Sequence, residues 1–413
     1  MKRDQEETRR TRNPLPGSAP SLLQWIATAC LAAALAACGG GGGGSSSNTP
    51  GELSAAAALG EKIFSDPSLS VSGKMSCATC HNPATAHATN NPALVVPSGG
   101  ANLDVPGFRN PPSLRYLNTT PAFFFAKDGT PTGGFNRDGR SNTLIDQAQR
   151  PFLAAHEMAN PTPADVVAKL KAAPYADEFR GVFGAGILDS PDDAFQRIRF
   201  ALAQYQLEDS EFHPFDSKYD YFLAGKAQLT ADELQGLALF NDPAKGNCAA
   251  CHPSGRGSDG SPPLFTDFTY DNIGIPRNTA IPANADATYY DLGLCGPFRT
   301  DLADRTDLCG AFKVPTLRNI AVTAPYFHNG QFKTLKDALG FYVRRDTSPE
   351  EWYPVSPDGS VNKFNDLPSQ YHRNVNVTEV PYNRKLGDAP ALSSDEIDLV
   401  IEFLNTLTDG YKP

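Results

Sequence analysis

Methionine is nearly missing from this chain. Of 413 residues only Met1, Met75 and Met158 are methionine, and none lies in the second half. A thioether is thereby excluded as a ligand to anything that half binds. Tryptophan is rarer still, at Trp25 and Trp352. The apolar run from Leu22 to Ala37 is too short and too one-sided to read as a membrane span. No succession of alternating apolar and polar residues marks an extended sheet. Positive charge is in deficit, with 36 Lys and Arg against 46 Asp and Glu, net −10. A chain so acidic is not expected to bind nucleic acid.

Two copies of one short motif carry most of the information. The stretch KMSCATCHNP (Lys74 to Pro83) holds Cys77, Cys80 and His81 in the order C-x-x-C-H, and GNCAACHPS supplies Cys248, Cys251 and His252, 171 residues further on. This spacing suits covalent haem c: two thiols add across the porphyrin vinyl groups, and the adjacent His offers a ring nitrogen to the iron. One copy alone also reads as a zinc half-site or a stray disulfide. The flanks repeat too. LGEKIFSDP (Leu59 to Pro67) and QGLALFNDP (Gln235 to Pro243) both read G-x-x-x-F-x-D-P upstream of their motifs. A module used twice, flanks included, is expected to hold two haems.

The length exceeds one typical domain, and 35 Gly with 35 Pro suggest long connections wrapped round a cofactor. Helical patterns frame each module. TADELQGLALF pairs Thr230 with Glu233 in a capping box, and SSDEIDLVIEFLNTLT pairs Ser393 with Glu396 and puts Ile397, Val400, Ile401, Leu404 and Leu407 on one stripe. The expected fold is mostly α, with two cytochrome-c-like domains each carrying one covalently attached haem c. They are expected at 55–222 and 223–413, joined within 215–230.

The N-terminus reads as a targeting segment. Lys2, Arg3, Arg9, Arg10 and Arg12 precede the apolar run, which closes on LAAC, Leu35 to Cys38. A small-residue site ending in Cys reads as a bacterial lipoprotein signal over 1–37, with Cys38 lipidated and a Gly/Ser-rich tether over 38–54. An ordinary secretory signal with a fortuitous Cys is the alternative. Either way the mature chain is expected outside the cytoplasm, periplasmic and lipid-anchored, at the outer membrane in preference to the inner. Removing 1–37 takes away five basic and three acidic residues, so the net charge of −10 becomes −12, and a redox partner with a basic face would suit it. Cysteine usage then closes: Cys30 leaves with the signal, Cys38 takes lipid, four hold haems, and Cys295 with Cys309 is expected to form a disulfide closing a surface loop.

Further stretches, FRNPPSLRYL (Phe108 to Leu117), NRDGRSNTLIDQA (Asn136 to Ala148), HEMAN (His156 to Asn160), LFTDFTYDNIGIP (Leu264 to Pro276) and FKVPTLRNIAVTAPYFHNG (Phe312 to Gly330), resemble the bacterial dihaem cytochrome c peroxidase and MauG family. The resemblance implies that hydrogen peroxide reacts at the N-terminal haem, with Glu157 as the acid/base that moves a proton between peroxide oxygens and Gln147 as a distal-pocket amide. Classical members close that iron's upper face with a His in the loop after the first motif. Here VVPSGGANLDVPG has none, and the nearby His87, read as an exposed lone His, leaves a five-coordinate haem expected. Where the peroxidases place a Met ligand to the second iron, fourteen residues after His328, this chain has Tyr342, as MauG-type members do. A phenolate favours ferric iron. His328 and His372 are the competing ligands. The family's bridging Trp before DGR is here Arg137. The resemblance also implies a calcium ion held by the Asn110 side chain and the carbonyls of Thr323 and Pro325. Electrons are expected through the C-terminal haem from an external donor: a cytochrome c or cupredoxin in a peroxidase, a protein side chain in a MauG-like enzyme. A lipid-anchored dihaem electron carrier without peroxide chemistry is the reading from another class.

Overall fold

The computed structural model describes residues 52–89, 91 and 95–413. The expected signal peptide, Cys38 and most of the tether lie outside the described residues.

Each half is built on a pair of crossing helices. In the first, the Ser54 hydroxyl accepts from the Ala57 amide and starts the helix Ala55–Ser65, which lies against the long helix Pro191–Glu208. The crossing is close because residue 60 is glycine: a Cβ there would sit 2.1 Å from the Ala201 carbonyl oxygen. In the second half Thr230 and Glu233 cap the helix Ala231–Asn241, and Ser393 and Glu396 cap Ser394–Asn405, both as the capping-box pattern predicts. These two helices also cross at a glycine, Gly236, whose Cβ would lie 2.0 Å from the Leu399 carbonyl oxygen.

The repeated G-x-x-x-F-x-D-P segment acquires its reason here. The glycine permits the crossing, and Phe64 and Phe240 are buried beneath it. The Asp66 and Asp242 carboxylates then accept the Ser68 and Ala244 amides at 2.8 Å, ending the helix and turning the chain toward each C-x-x-C-H motif.

Two main cores result. Leu59, Ile63, Phe152, Leu170, Phe179 and Ile198 belong to one, and Phe240, Phe265, Val400, Phe403, Leu404 and Leu407 to the other. Each such side chain contributes about 1.5–3 kcal/mol on burial. Among the described residues, paired strands are confined to three antiparallel two-residue ladders: Ser98–Gly99 with Val105–Pro106, Phe124–Phe125 with Pro131–Thr132, and Tyr270–Asp271 with Phe312–Lys313. The regular structure is mostly helical, as expected.

Buried ion pairs fasten the long connections. Arg318 grips Asp220 with both terminal nitrogens, at 2.9 and 2.8 Å, and donates Nε to the Pro263 carbonyl. Arg109 holds Asp291 through Nε and one terminal nitrogen, at 2.6 and 2.7 Å, and donates its other terminal nitrogen to Asp138 at 2.7 Å. Losing one partner of such a pair costs about 3–5 kcal/mol. Cys295 and Cys309 are joined by a disulfide whose sulfurs are buried beneath the exposed loop they close.

Candidate haem sites and active site

A cleft-like cavity of about 510 Å³ reaches both C-x-x-C-H motifs. Its wall includes Cys77, Cys80, His81, Gln147 and Glu157 from the first half and Cys248, Cys251, His252 and Tyr342 from the second. The four motif cysteines are unpaired. Burial pushes their thiols up to about 12, so they are neutral rather than thiolate at physiological pH. Among the described residues no group of three or more His, Cys, Asp or Glu gathers as a metal site. A large, mainly apolar cavity flanked by neutral thiols fits a porphyrin better than the zinc reading.

The two motif histidines are held alike. His81 Nδ1 lies 3.0 Å from the Pro112 carbonyl and 3.2 Å from that of His87, and His252 Nδ1 lies 2.7 Å from the Phe265 carbonyl. A carbonyl only accepts, so the proton sits on Nδ1 and Nε2 keeps its lone pair. Burial lowers the pKa of both rings and keeps them neutral. Each ring thus presents an unprotonated Nε2, the form in which imidazole can ligate a metal. His87 corrects the sequence reading. It is completely buried, not exposed, with its ring 4.2 Å from Phe212 and edge-on to Phe64, and it does not line the cavity. Its φ of 54° turns the chain so that its carbonyl, not its ring, serves His81.

Glu157 is fixed through its backbone: its amide donates to Ala154 O at 2.9 Å and its carbonyl accepts from the Gly100 amide at 3.0 Å. Its carboxylate, after burial, helps raise the Cys80 thiol, which places the charge beside the first motif. Gln147 closes the short helix Leu144–Gln147 and faces the same cavity. Sequence reasoning passed over His156. Its Nε2 is 3.4 Å from Glu157 Oε1, and its ring stands edge-on to Phe108 at 5.0 Å. The only signal was its place in HEMAN.

At the second motif Tyr342 projects from the helix Leu335–Arg344, packed against Phe327 and Tyr382 at 5.6 and 6.1 Å. Burial, then the nearby Cys251, pushes its phenol up. The competing ligands separate. His372 Nε2 donates to the Leu367 carbonyl, 3.0 Å away, and the residue does not line the cavity. His328 lines it, but its ring lies flat on Phe312 at 3.7 Å. Asn110, Thr323 and Pro325 also line the cavity, with Asn110 Nδ2 2.6 Å from the Pro325 carbonyl and Asn110 Oδ1 buried without a partner among the described residues.

A family model described as di-haem cytochrome c peroxidase matches residues 54–228. The methylamine utilization protein MauG of Paracoccus denitrificans is 38% identical over 368 residues, covering 87% of this chain and 90% of that protein. Cytochrome c551 peroxidase of Nitrosomonas europaea is 32% identical over 295 residues, covering 68% and 71%. The crystal structure of the diheme peroxidase BthA from Burkholderia thailandensis matches with a TM-score of 0.79 at 38% identity, covering 87% of each chain. These likenesses define a haem-dependent oxidoreductase. The chain belongs to the di-haem cytochrome c peroxidase family, which includes MauG.

Proposed function

We propose that the protein reduces hydrogen peroxide at a haem held by Cys77, Cys80 and His81, drawing electrons from a partner protein through a second haem held by Cys248, Cys251 and His252. The observation that carries this reading is the single cavity with Glu157 and Gln147 beside one motif and Tyr342 beside the other. When bound, the first haem supplies the iron at which the O–O bond is reduced. Glu157 takes the proton from the inner peroxide oxygen and returns it to the outer one, which leaves as water. The Gln147 amide would hydrogen-bond the peroxide and orient it toward Glu157. Tyr342 would offer its phenol oxygen to the iron of the second haem.

A second reading, oxidation of side chains in a partner protein, is favoured by Tyr342 and by the lack of any methionine in that half. An anionic oxygen stabilises ferric iron, which suits storage of an oxidising equivalent better than electron entry from a cytochrome c or cupredoxin. A calcium ion at Asn110, Thr323 and Pro325 fits the orphaned Asn110 Oδ1: with the amide turned over, that oxygen and the Pro325 carbonyl would face one cation. The two-domain division at 222/223, the periplasmic location and the lipid anchor at Cys38 complete the proposal.

Redox titration tests the assignment of Tyr342. The second haem is expected well below the potential of a His/Met cytochrome, and Tyr342→Met is expected to raise it and add the thioether-to-iron absorption band. A wild-type second haem already at His/Met potential, or one indifferent to Tyr342→Phe, would place the ligand elsewhere.

A further inference from the structure

The cations on the cavity wall fall into two groups. Arg109, Arg115, Arg140 and Arg318 each have a carboxylate partner within 2.8 Å. Arg137, Arg150 and Lys313 have none among the described residues. Arg150 lies over the Phe298 ring at 5.1 Å, with Glu157 close enough to favour its charge. Arg137 and Lys313 are different. Arg137 spends Nε on the Asn110 carbonyl at 3.0 Å, and its two terminal nitrogens make no hydrogen bond among the described residues. The Lys313 ammonium meets only the Gly134 carbonyl. The two residues are tied together, since the Lys313 amide donates to the Arg137 carbonyl at 2.8 Å.

Two partly buried cations with no ion-pair partner of their own are costly to hold charged. Burial, and then the neighbouring Arg109, pushes the Arg137 guanidinium down to about 10, and burial pushes the Lys313 ammonium down to about 8. The nearest carboxylates, Asp138 and Asp291, are already held by Arg109 and Arg140. An anion from outside the chain is needed to balance the site, and the propionate side chains are the anionic groups a haem brings.

We propose that Arg137 and Lys313 form a clamp for haem propionate carboxylates, Arg137 with its two free terminal nitrogens and Lys313 as a point charge. This rests on the reading that the chain carries haems. Arg137 is then a cofactor-binding residue that sets potential, in the place where the family's relay has tryptophan. A guanidinium has no accessible oxidised state, so charge passing between the irons does not reside on residue 137. Its fixed positive charge instead favours ferrous iron.

The test uses the full-length protein with both motifs intact. Intact mass under denaturing conditions is first to show two haems covalently attached; their absence from wild type would sink the underlying reading, not the clamp alone. With both attached, Arg137→Gln and Lys313→Gln are each expected to lower the ferrous-to-ferric ratio of a haem at fixed poise about tenfold, a shift of about 59 mV for one electron. Arg137→Lys keeps the charge but loses the paired donors. It is expected to move the propionate bending bands in the resonance Raman spectrum with little change in potential, and it carries the test if the Gln variant does not accumulate. Wild-type potentials in Lys313→Gln together with wild-type propionate bands in Arg137→Lys would overturn the clamp.

Discussion

Replacing Gly236 by alanine sets two effects against each other, and the structure says which wins. Alanine is favoured over glycine in a helix by about 1 kcal/mol. Against this, the new Cβ would lie 2.0 Å from the Leu399 carbonyl oxygen and 3.0 Å from the Phe403 Cβ, where ordinary contact begins at 3.4 Å. The helix Ser394–Asn405 would have to retreat by about 1.4 Å, and gaps of about 0.5–1 Å already forfeit a quarter to a half of each dispersion contact. Overpacking of this kind costs about 1–3 kcal/mol and more where backbone must move. The net expectation for Gly236→Ala is a loss of about 2 kcal/mol, and the same for Gly60→Ala, whose Cβ meets Ala201 O at 2.1 Å. Gly181 is the control. It lies on the exposed side of the helix Ala176–Phe183 with no atom within 4 Å of a Cβ, so Gly181→Ala is expected to stabilise by up to about 1 kcal/mol. Urea unfolding followed by far-ultraviolet circular dichroism reads all three. If Gly236→Ala and Gly60→Ala proved as stable as Gly181→Ala, the repeated glycine would have no structural role and the module argument would fail.

Electron paramagnetic resonance of the ferric protein is expected to show one high-spin and one low-spin haem, because His87 is packed between Phe64 and Phe212 away from the cavity; two low-spin signals would mean another group closes the first iron. Asp366, with Arg277 at 3.2 Å and His328 at 3.9 Å, has its carboxyl pushed up by burial from 3.8 to about 7. The fold therefore favours its protonated form, and its contribution to stability is lost as pH rises from about 4 to about 7. Relative to wild type, Asp366→Asn is expected to gain stability across that window, and a pH-independent difference in unfolding free energy would refute this.

Local patterns were legible and long-range ones were not. The capping boxes at Thr230 and Ser393 and the stripe at Ile397, Val400, Leu404 and Leu407 depend on neighbours within a few turns, and the helices form as those residues require. The doubled glycine was visible as a repeat, but its purpose needed the helix it crosses, which lies far along the chain. His87 was misread because nothing nearby in sequence says that residues 82–88 curl back on themselves, with Asn82 and Ala88 bridged, and carry its ring into the core. The Arg109–Asp291 pair spans 182 residues, and the unpaired state of Arg137 and Lys313 is a property of the surrounding cavity. No spacing rule encodes either. His156 was in plain view, yet its approach to Glu157 depends on side-chain packing against Phe108.

The central claim is that Glu157 moves the proton when peroxide is cleaved at the first haem. Rapid mixing of the diferric protein with stoichiometric hydrogen peroxide, without added reductant, measures this most directly. The wild type is expected to consume peroxide with a change in its haem spectrum, and Glu157→Gln, with both haems attached, is expected to do so roughly 10²-fold more slowly. A wild-type protein inert to peroxide, or a Gln variant reacting at the wild-type rate, would contradict the account.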